Sequence, residues 1–327
     1  MLSLSVIIPV KNGERTLGLC LDSIRQQTIG KVVEILILDS NSSDKSCEIA
    51  AFFGAKIIPV QPGTFSHGGT RNIGAQEASG ELLYYTVQDS RIAEADMLER
   101  MVSYFTDTEV QGVNGIQGVP SELDKNPAVW FQRFSTPVPE IFHFKINEFA
   151  KISPKQQLQY CRWDNVNAMY RRSALLYVPF KRVDFAEDAL WALDALSKGY
   201  KLVRDSALLV YHYHHHDFKY TFRVIYIINY GLLINFKTLP NIPIIYKPIA
   251  VNIYSIFKRK QIGFWKKVYW VWHNIVRHIA HLLSAIVFRL LNWVGINAVE
   301  KGLKVFCSTV PQGRQQNHSG QALKAVV

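Results

Sequence analysis

The chain has 327 residues, 48% of them hydrophobic, which suits one large α/β domain with an extension or two domains. Its four cysteines have neither the C-x-x-C spacing of a zinc site nor the density of a disulfide framework, which excludes both classes. We expect free thiols in a reducing compartment. The first ten residues, MLSLSVIIPV, lack the basic segment of a signal peptide, so we expect a cytoplasmic location.

The formal net charge of +11 is confined to one stretch of the chain. Residues 218–299 contain no Asp or Glu but eleven Lys and Arg, so the remaining residues sum to zero. A region of a single sign needs an acidic partner: a membrane surface, a nucleic acid or a phosphorylated substrate. No nucleic-acid-binding fold is recognisable, and we expect no nucleic-acid partner.

Residues 1–110 alternate between strand and helix signals. Apolar runs predict strands at 3–10, 33–38, 56–60 and 82–87. Helical periodicity predicts helices at 16–27, 46–53, 72–78 and 96–105, with a glycine-rich loop at 63–70. This rhythm predicts an α/β fold with a mostly parallel, Rossmann-like sheet, helices on both faces, and ligands beyond the carboxyl ends of the strands.

The second half of the chain is less regular. Residues 111–160 are rich in proline, and residues 161–216 return to mixed α/β character. Residues 217–307 interleave aromatic and basic residues, and their longest uncharged apolar run, 224–236, is shorter than the ~18 residues of a spanning helix. We predict a helical, membrane-associating region at 217–307 and a disordered tail at 308–327.

Carboxylates stand where the predicted strands end and where a later helix begins. Asp39 ends the second strand, Asp89 follows the fourth, and Glu187 and Asp188 open a helix. The structural explanations are an Asx turn, a helix cap and a helix-dipole partner, respectively. The functional alternatives are a hydrogen bond from a pyrimidine imide to Asp39, a divalent cation on Asp89, and a general base at Asp188 supported by Glu187.

Two other segments are candidates for binding. In the segment YHYHHHDF, an extended backbone would point His212, His214 and His216 to one side, so two of them could reach a metal; the alternative is ordinary surface or core histidines. The segment FSHGGTRNIG could approach phosphates through its amides. It matches neither the dinucleotide-binding fingerprint nor the Walker A pattern.

Four motifs occur in a specific order: SVIIPVKNGERTL, ILILDSNSSDKS, FSHGGTRNIGAQEASGELLYYTVQDS and AEDALWALDALSKGYKL. Together they resemble the family-2 glycosyltransferases, which have the GT-A fold. The variant with HGGTRNIGA followed by QD is similar to bacterial rhamnosyltransferase-like enzymes of O-antigen and surface-polysaccharide synthesis. The resemblance covers residues 3–216, and it implies a catalytic domain at 1–216 with a nucleotide-binding half, 1–110, and an acceptor half, 111–216.

The resemblance also implies roles for individual residues. It places these in the nucleotide pocket: Pro9, Lys11, Asn12, Asp39, Arg71 and Gln88. It places these on the acceptor side: Trp163, Asp164, Asn165 and Trp191. It makes Asp188 the catalytic base with Glu187 beside it, and it makes Asp89 a ligand of Mg²⁺ or Mn²⁺, joined by His212 or His214.

The implied reaction is an inverting transfer from a nucleotide-sugar donor, with dTDP-rhamnose as the first choice and UDP-sugars open. The acid-free, aromatic-rich stretch 218–299 leads to a separate hypothesis: the chain is peripheral on the anionic inner leaflet of the plasma membrane, and the acceptor is a lipid-linked glycan on that surface. The alternative is a helical extension that packs on the catalytic domain with a solvated basic face. Two departures from the family pattern matter. Gln88-Asp89-Ser90 offers one carboxylate where a D-x-D motif offers two, and the Q-x-x-R-W signature of processive synthases is absent, which favours adding one or a few sugars.

Two other classes of protein remain as alternatives. A nucleotidylyltransferase-like protein would carry a glycine-rich first strand–helix turn, for which Lys11-Asn12-Gly13 is too short. A non-catalytic membrane-surface scaffold would not need Asp89 or the Glu187-Asp188 pair.

Overall fold

The computed structural model describes residues 2–30, 32–61, 66–133, 136–183 and 185–307. The predicted disordered tail and Phe65 of the glycine-rich segment lie outside the described residues. The strands are β1 (Leu4–Val10), β2 (Val32–Asp39), β3 (Lys56–Pro59), β4 (Leu82–Tyr85), β5 (Arg91–Ile92), β6 (Val110–Gly118), β7 (Glu140–Phe142), β8 (Ala168–Arg171) and β9 (Lys201–Tyr211). The helices are α1 (Leu17–Arg25), α2 (Ser46–Phe52), α3 (His67–Glu77), α4 (Met97–Ser103), α5 (Pro154–Tyr160), α6 (Arg172–Tyr177), α7 (Glu187–Ser197), α8 (Phe218–Phe236), α9 (Tyr246–Lys258), α10 (Phe264–Val294) and α11 (Ile296–Cys307).

A single sheet joins these strands in the order β3-β2-β1-β4-β8-β6-β9-β5, and β7 also pairs with β9. The first four strands in this order are parallel, as predicted for the nucleotide-binding half. Strand β8 is antiparallel to both of its neighbours, and β6 is parallel to β9. The chain therefore combines a parallel half with a mixed half, and the carboxyl ends of β1, β2 and β4 meet at one edge.

Helices cover both faces of the sheet, as the alternation of strand and helix signals predicted. Successive residues of a strand point to opposite faces. Val6 and Ile8 of β1 therefore pack in the cluster that contains Leu17 of α1, whereas Ile7 packs in the cluster that contains Ala75 of α3. The two apolar clusters hold the central strands in place, so the strand ends form a rigid base for the side chains beyond them.

The segment predicted as a glycine-rich loop is helical from residue 67, so the prediction of a loop reaching residue 70 was wrong. The Ser66 hydroxyl accepts a hydrogen bond from the Gly69 amide at 3.0 Å and caps α3. Gly68 is required for close packing, since a Cβ atom there would lie 2.1 Å from the Lys181 carbonyl oxygen. The two glycines therefore let the residues before α7 lie against the start of α3.

Four helices, α8 to α11, form the predicted C-terminal helical extension. Helices α8 and α10 pack along each other around Tyr226 and Phe288, both of which are fully buried. Helix α8 also reaches the catalytic core, because Phe236 belongs to the apolar cluster that contains Trp191. The domain boundary at residue 216 stays a prediction, and α8 packs against both sides of it.

Among the described helices, α10 has the length and composition of a membrane-crossing helix, a test that core helices of soluble proteins also pass. The sequence did not predict a helix of this kind, because charged residues scattered along α10 interrupt its apolar runs. About a quarter of its most apolar 18-residue window, 28%, is buried against the rest of the protein. The rest of that window is partly or fully exposed.

Candidate active site

A cleft of about 620 Å³ opens at the carboxyl ends of β1 and β4. Most of the predicted site residues line it: Pro9, Lys11, Arg71, Gln88, Asp89, Trp163, Asp164, Glu187, Asp188, His212 and His214. Four predicted site residues are described but do not line it: Asn12, Asp39, Asn165 and Trp191. The structure thus brings together residues that are up to about 200 positions apart in the chain.

Asp89 lies against the histidine segment because β5 and β9 pair in antiparallel register, with Arg91 opposite Tyr211. Its carboxylate oxygens lie 3.3 Å from Nε2 of His212 and 3.5 Å from Nε2 of His214. Burial opposes the charge on Asp89, but the hydrogen bond and charge of His212, with a smaller contribution from His214, hold the pKa of this carboxyl below its ordinary value. Asp89 is therefore ionised at neutral pH.

These three side chains could hold a metal ion. One ligand atom from each of Asp89, His212 and His214 lies within 4.8 Å of the other two. Burial, followed by the charge of His212, lowers the pKa of His214, so its imidazole is neutral at neutral pH and can serve as a metal ligand. Mg²⁺ takes oxygen ligands in near-ideal octahedral geometry, so two imidazole nitrogens suit it less well than they suit a transition-metal cation. The donor set fits one divalent cation.

The amide side chain of Gln88, the residue before Asp89, makes two hydrogen bonds with the backbone of Lys11. Its Oε1 accepts from the Lys11 backbone N–H at 2.8 Å, and its Nε2 donates to the Lys11 carbonyl at 3.1 Å. A carboxylate at this position would have no hydrogen to donate, so the Lys11 carbonyl would face a negative charge. Gln88 therefore extends the pairing of the first and fourth strands beyond their ends, and Asp89 remains the carboxylate for a metal.

Glu187 and Asp188 project from the first turn of α7. The residue before this helix, Ala186, has a left-handed backbone conformation (φ 65°). Glu187 is buried, and its Oε1 lies 2.5 Å from Nη1 of Arg71, which is also buried. Asp188 is half-buried and lines the cleft. Arg71 was predicted to face the nucleotide; it lines the cleft and its Nη1 pairs with Glu187, and a contact with the nucleotide stays a prediction.

The environment of Asp188 suits a base. Burial, and next the negative charges of Glu187 and Asp164, raise the pKa of Asp188 well above its ordinary value, while Arg71 opposes the shift. Its carboxylate accepts from the Asn165 backbone N–H at 3.2 Å. A carboxylate with raised proton affinity at the wall of a cleft can remove a proton from a bound hydroxyl.

Asn165 makes hydrogen bonds with both Glu187 and Asp188. Its Nδ2 lies 3.4 Å from Oε1 of Glu187, and its Oδ1 accepts from the Tyr170 hydroxyl. Asn165 is almost fully buried, so it orients the two acids and does not face the cleft.

Two of the predicted nucleotide contacts have local structural partners. Both carboxylate oxygens of Asp39 accept from the Ser42 backbone N–H, which lies three residues on, one residue further than in the Asx turn given above as the structural alternative. Asn12 accepts from the Ser43 backbone N–H at 2.9 Å. These bonds fix the loops after β1 and β2, and recognition of the base by Asp39 stays a prediction.

The two tryptophans assigned to the acceptor side lie at different depths. Trp163 lines the cleft, whereas Trp191 is fully buried and donates through Nε1 to the Val178 carbonyl at 2.9 Å. The ring centroids of Trp163 and Trp191 are 5.7 Å apart. Trp191 therefore supports Trp163 from the core and does not reach the cleft.

Gln117 and Ile228 are among the cleft residues that the sequence did not predict. Gln117, at the end of β6, contacts His212, and Ile228 of α8 lines the cleft. The position of Gln117 at a strand end was an available signal, but β6 lies in the stretch judged irregular. Nothing in the sequence pattern linked Ile228, which lies in the C-terminal helical extension, to the site.

Residues 5–176 match the profile described as Glycosyl transferase family 2. This chain belongs to glycosyltransferase family 2. It is 29% identical over 221 residues to the O-antigen chain rhamnosyltransferase RfbN of Salmonella typhimurium, a match covering 66% of this chain and 68% of that protein. WbaN of Salmonella anatum, another O-antigen chain rhamnosyltransferase, is also 29% identical, over 222 residues with the same coverage.

Solved structures of glycosyltransferases share the fold. The TarS 1–349 fragment of S. aureus in complex with UDP-GlcNAc has a TM-score of 0.52 and 15% identity, and the match covers 94% of this chain and 82% of that one. A mannosyltransferase of Pyrobaculum calidifontis in complex with GDP-Man and Mn²⁺ has a TM-score of 0.51 and 13% identity, and covers 94% and 80%. The predicted family and GT-A fold are confirmed.

Proposed function

We propose that this glycosyltransferase moves one sugar, rhamnose from dTDP-rhamnose as the first choice, onto a lipid-linked glycan with inversion at the anomeric carbon. The observation that carries the proposal is that Asp188, with its raised proton affinity, shares one cleft with the Asp89–His212–His214 group. The relatives named O-antigen chain rhamnosyltransferases support the choice of sugar and pathway. A UDP-hexose donor is the alternative within the same fold.

The chemistry follows from the positions of the acids. Asp188 takes the proton of the acceptor hydroxyl, and the oxygen attacks the anomeric carbon from the face opposite the nucleotide. A single displacement inverts that carbon, as it does in one-step glycosidases. Asp89, His212 and His214 would hold a divalent cation, which supplies positive charge to the departing diphosphate. Glu187 stays paired with Arg71, and its negative charge contributes to the raised proton affinity of Asp188.

The test is a panel of nucleotide sugars offered to the full chain with Mn²⁺, with Mg²⁺ and with EDTA, measuring donor binding and hydrolysis. We expect dTDP-rhamnose to bind and hydrolyse, with Mn²⁺ more effective than Mg²⁺. We expect His212→Ala and His214→Ala each to weaken Mn²⁺ binding by about tenfold or more. The matched control is His143→Ala, since His143 is exposed and lies outside the cleft. Undiminished hydrolysis in EDTA would contradict the metal requirement, and no hydrolysis of any donor would favour the scaffold.

The second part of the proposal is that the chain binds the anionic inner leaflet through its C-terminal helices. Helix α10 exposes an apolar stripe at helical spacing: Trp265, Trp272, Ile279, Leu283, Leu290 and Trp293. The stripe runs about 42 Å along the helix, at a rise of ~1.5 Å per residue. Trp265 and Trp293, at its two ends, are 80% and 87% exposed. Amphipathic tryptophans and a long apolar face are typical of interfacial helices.

Basic residues surround the start of this stripe. Tyr254, Phe257, Phe264 and Trp265 are exposed around the connection between α9 and α10, together with Lys258, Lys260 and Lys266. Lys267 holds the connection closed by donating to the Phe257 carbonyl at 3.1 Å. No acidic residue occurs in this part of the chain. Each lysine near an anionic membrane contributes about 1 kcal/mol to the binding free energy, so the connection between α9 and α10 suits an anionic leaflet.

The membrane test uses the full chain, because α8 packs into the catalytic core. Co-sedimentation is measured with vesicles of phosphatidylcholine containing 30% phosphatidylglycerol and with pure phosphatidylcholine. Replacing Lys258, Lys260 and Lys266 together by Glu should lower binding to the anionic vesicles roughly 100-fold, from about 1 kcal/mol per lysine. The control is Phe52→Ser, since Phe52 is 80% exposed on α2, away from this region. Equal binding by the triple variant and the wild type would contradict the proposal.

A further inference from the structure

Gln117 stands between the candidate metal group and the acceptor side of the cleft. It lies in β6, where Gln117 pairs with Val210 and the next residue, Gly118, pairs with Tyr211 of β9. The Gly118 carbonyl accepts from the His212 backbone N–H at 3.0 Å, which fixes His212 immediately beyond the strand. The side chains of Gln117 and His212 therefore meet at the wall of the cleft.

The Gln117 amide makes one contact in each direction. Its Oε1 lies 2.7 Å from Nδ1 of His212, and its Nε2 donates to Oδ2 of Asp164. Because Asp164 is an acceptor, the amide must turn its NH₂ group to Asp164 and its oxygen to His212. The oxygen can only accept, so Nδ1 of His212 must carry the hydrogen. The other ring nitrogen, Nε2, then faces Asp89 at 3.3 Å.

We propose that Gln117 is a positioning residue that fixes the ring orientation of His212 for metal binding and, through the same amide, holds the Asp164 carboxylate on the acceptor side. The inference rests on the proposed metal site and deepens it. A hydrogen bond to the non-ligating nitrogen of a histidine orients the ring and makes it a better ligand, and losing such a bond costs about 10- to 100-fold in metal affinity.

Only an amide can serve both neighbours at once. Glutamate would still accept from Nδ1 of His212, but it has no hydrogen for Asp164, and the two carboxylates would repel each other. The other oxygen of Asp164 accepts from the Val166 backbone N–H at 2.9 Å, so loss of Gln117 would leave Asp164 held on one side alone. Substitutions at Gln117 can therefore separate its two contacts.

The experiment measures Mn²⁺ affinity of the full chain by electron paramagnetic resonance of free Mn²⁺, together with kcat and KM for the acceptor. Gln117→Leu removes both contacts, and we expect Mn²⁺ to bind about 10- to 100-fold more weakly and the acceptor KM to rise. Gln117→Glu keeps the contact with His212, and we expect Mn²⁺ affinity no weaker than about threefold below the wild type, with the rise in acceptor KM retained. Rescue of metal affinity alone is a result that a merely structural role would not give.

The control is Gln111→Leu, since Gln111 lies at the far end of β6 and its Nε2 donates to the nearby Thr108 and Glu109 carbonyls. It should change neither Mn²⁺ affinity nor the acceptor KM. Wild-type Mn²⁺ affinity in Gln117→Leu, or equal loss in Gln117→Leu and Gln117→Glu, would overturn the inference while leaving the metal site intact. If the wild type itself binds no Mn²⁺, the proposed metal site fails and the inference falls with it.

Discussion

Replacing Asp188 by Asn should lower kcat for sugar transfer by about 10³-fold, within the ~10²- to 10⁴-fold that general bases contribute, and leave donor affinity within about twofold. An amide cannot take the acceptor proton, although its oxygen can still accept from one of the backbone N–H groups now bound to Asp188. Transfer is measured under saturating donor and acceptor, and donor affinity by calorimetry on the same preparation. Turnover above a tenth of the wild-type value would remove Asp188 from the proposed mechanism.

The pH profile gives an independent check on the same residue. Asp188 must be deprotonated to act, and burial followed by the charges of Glu187 and Asp164 raises its pKa. Activity should therefore rise with pH through that raised pKa, and the acid limb of kcat/KM should lie above the pH range of an ordinary aspartate, ~3.9. Asp164→Asn removes one of the raising charges, so the limb should shift to lower pH. A limb at the ordinary value in the wild type would contradict this assignment.

Replacing Arg71 by Leu should lower the free energy of unfolding by about 3–5 kcal/mol, because it leaves the Glu187 carboxylate buried without its partner. The side chains of Arg71 and Glu187 are 6% and 7% exposed, so water cannot replace the lost interaction. Urea denaturation followed by circular dichroism gives the value. Transfer activity should fall as well, because Glu187 lies beside the base.

The control for this change is an ion pair at the surface. Lys56 and Glu77 lie 3.2 Å apart with about half of each side chain exposed, and Lys56→Leu should cost less than ~1 kcal/mol. The double variant Arg71→Leu and Glu187→Leu should be less destabilised than Arg71→Leu alone, since no unpaired charge remains. A loss under ~1 kcal/mol for Arg71→Leu would show that the buried pair does not hold α3 and α7 together.

The nucleotide-binding half could be predicted from the sequence because its physical causes are local. The apolar runs of β1 and β2 and the periodicity of α1 occur within single segments, and their bounds differ from the predicted ones by only a residue or two. The start of α3 could not be placed, because the role of Gly68 depends on the carbonyl of Lys181, more than a hundred residues away. The strand order of the mixed half could not be predicted for the same reason, because β8 lies between β4 and β6, two strands that come earlier in the chain.

Residue types identified most residues of the candidate site, but the structure was needed to show which contacts each residue makes. Asp89 and the histidines were predicted to share a metal, and the pairing of β5 with β9 places them together. The sequence could not show that Arg71 is occupied with Glu187 or that Gln88 binds a backbone segment. Each of these roles depends on contacts between residues that lie far apart in the chain, which a pattern of residue types does not record.

The position of β8 also has a consequence for synthesis of the protein. During translation, a nascent chain that has reached residue 110 has made β1 to β4 but leaves the far edge of β4 unpaired until residues 168–171 follow. The four residues of β4, Leu-Leu-Tyr-Tyr, are buried in the finished sheet, so this open edge is a template for aggregation. We therefore expect the two halves to fold as a single unit and a fragment ending near residue 110 to aggregate unless a chaperone binds it.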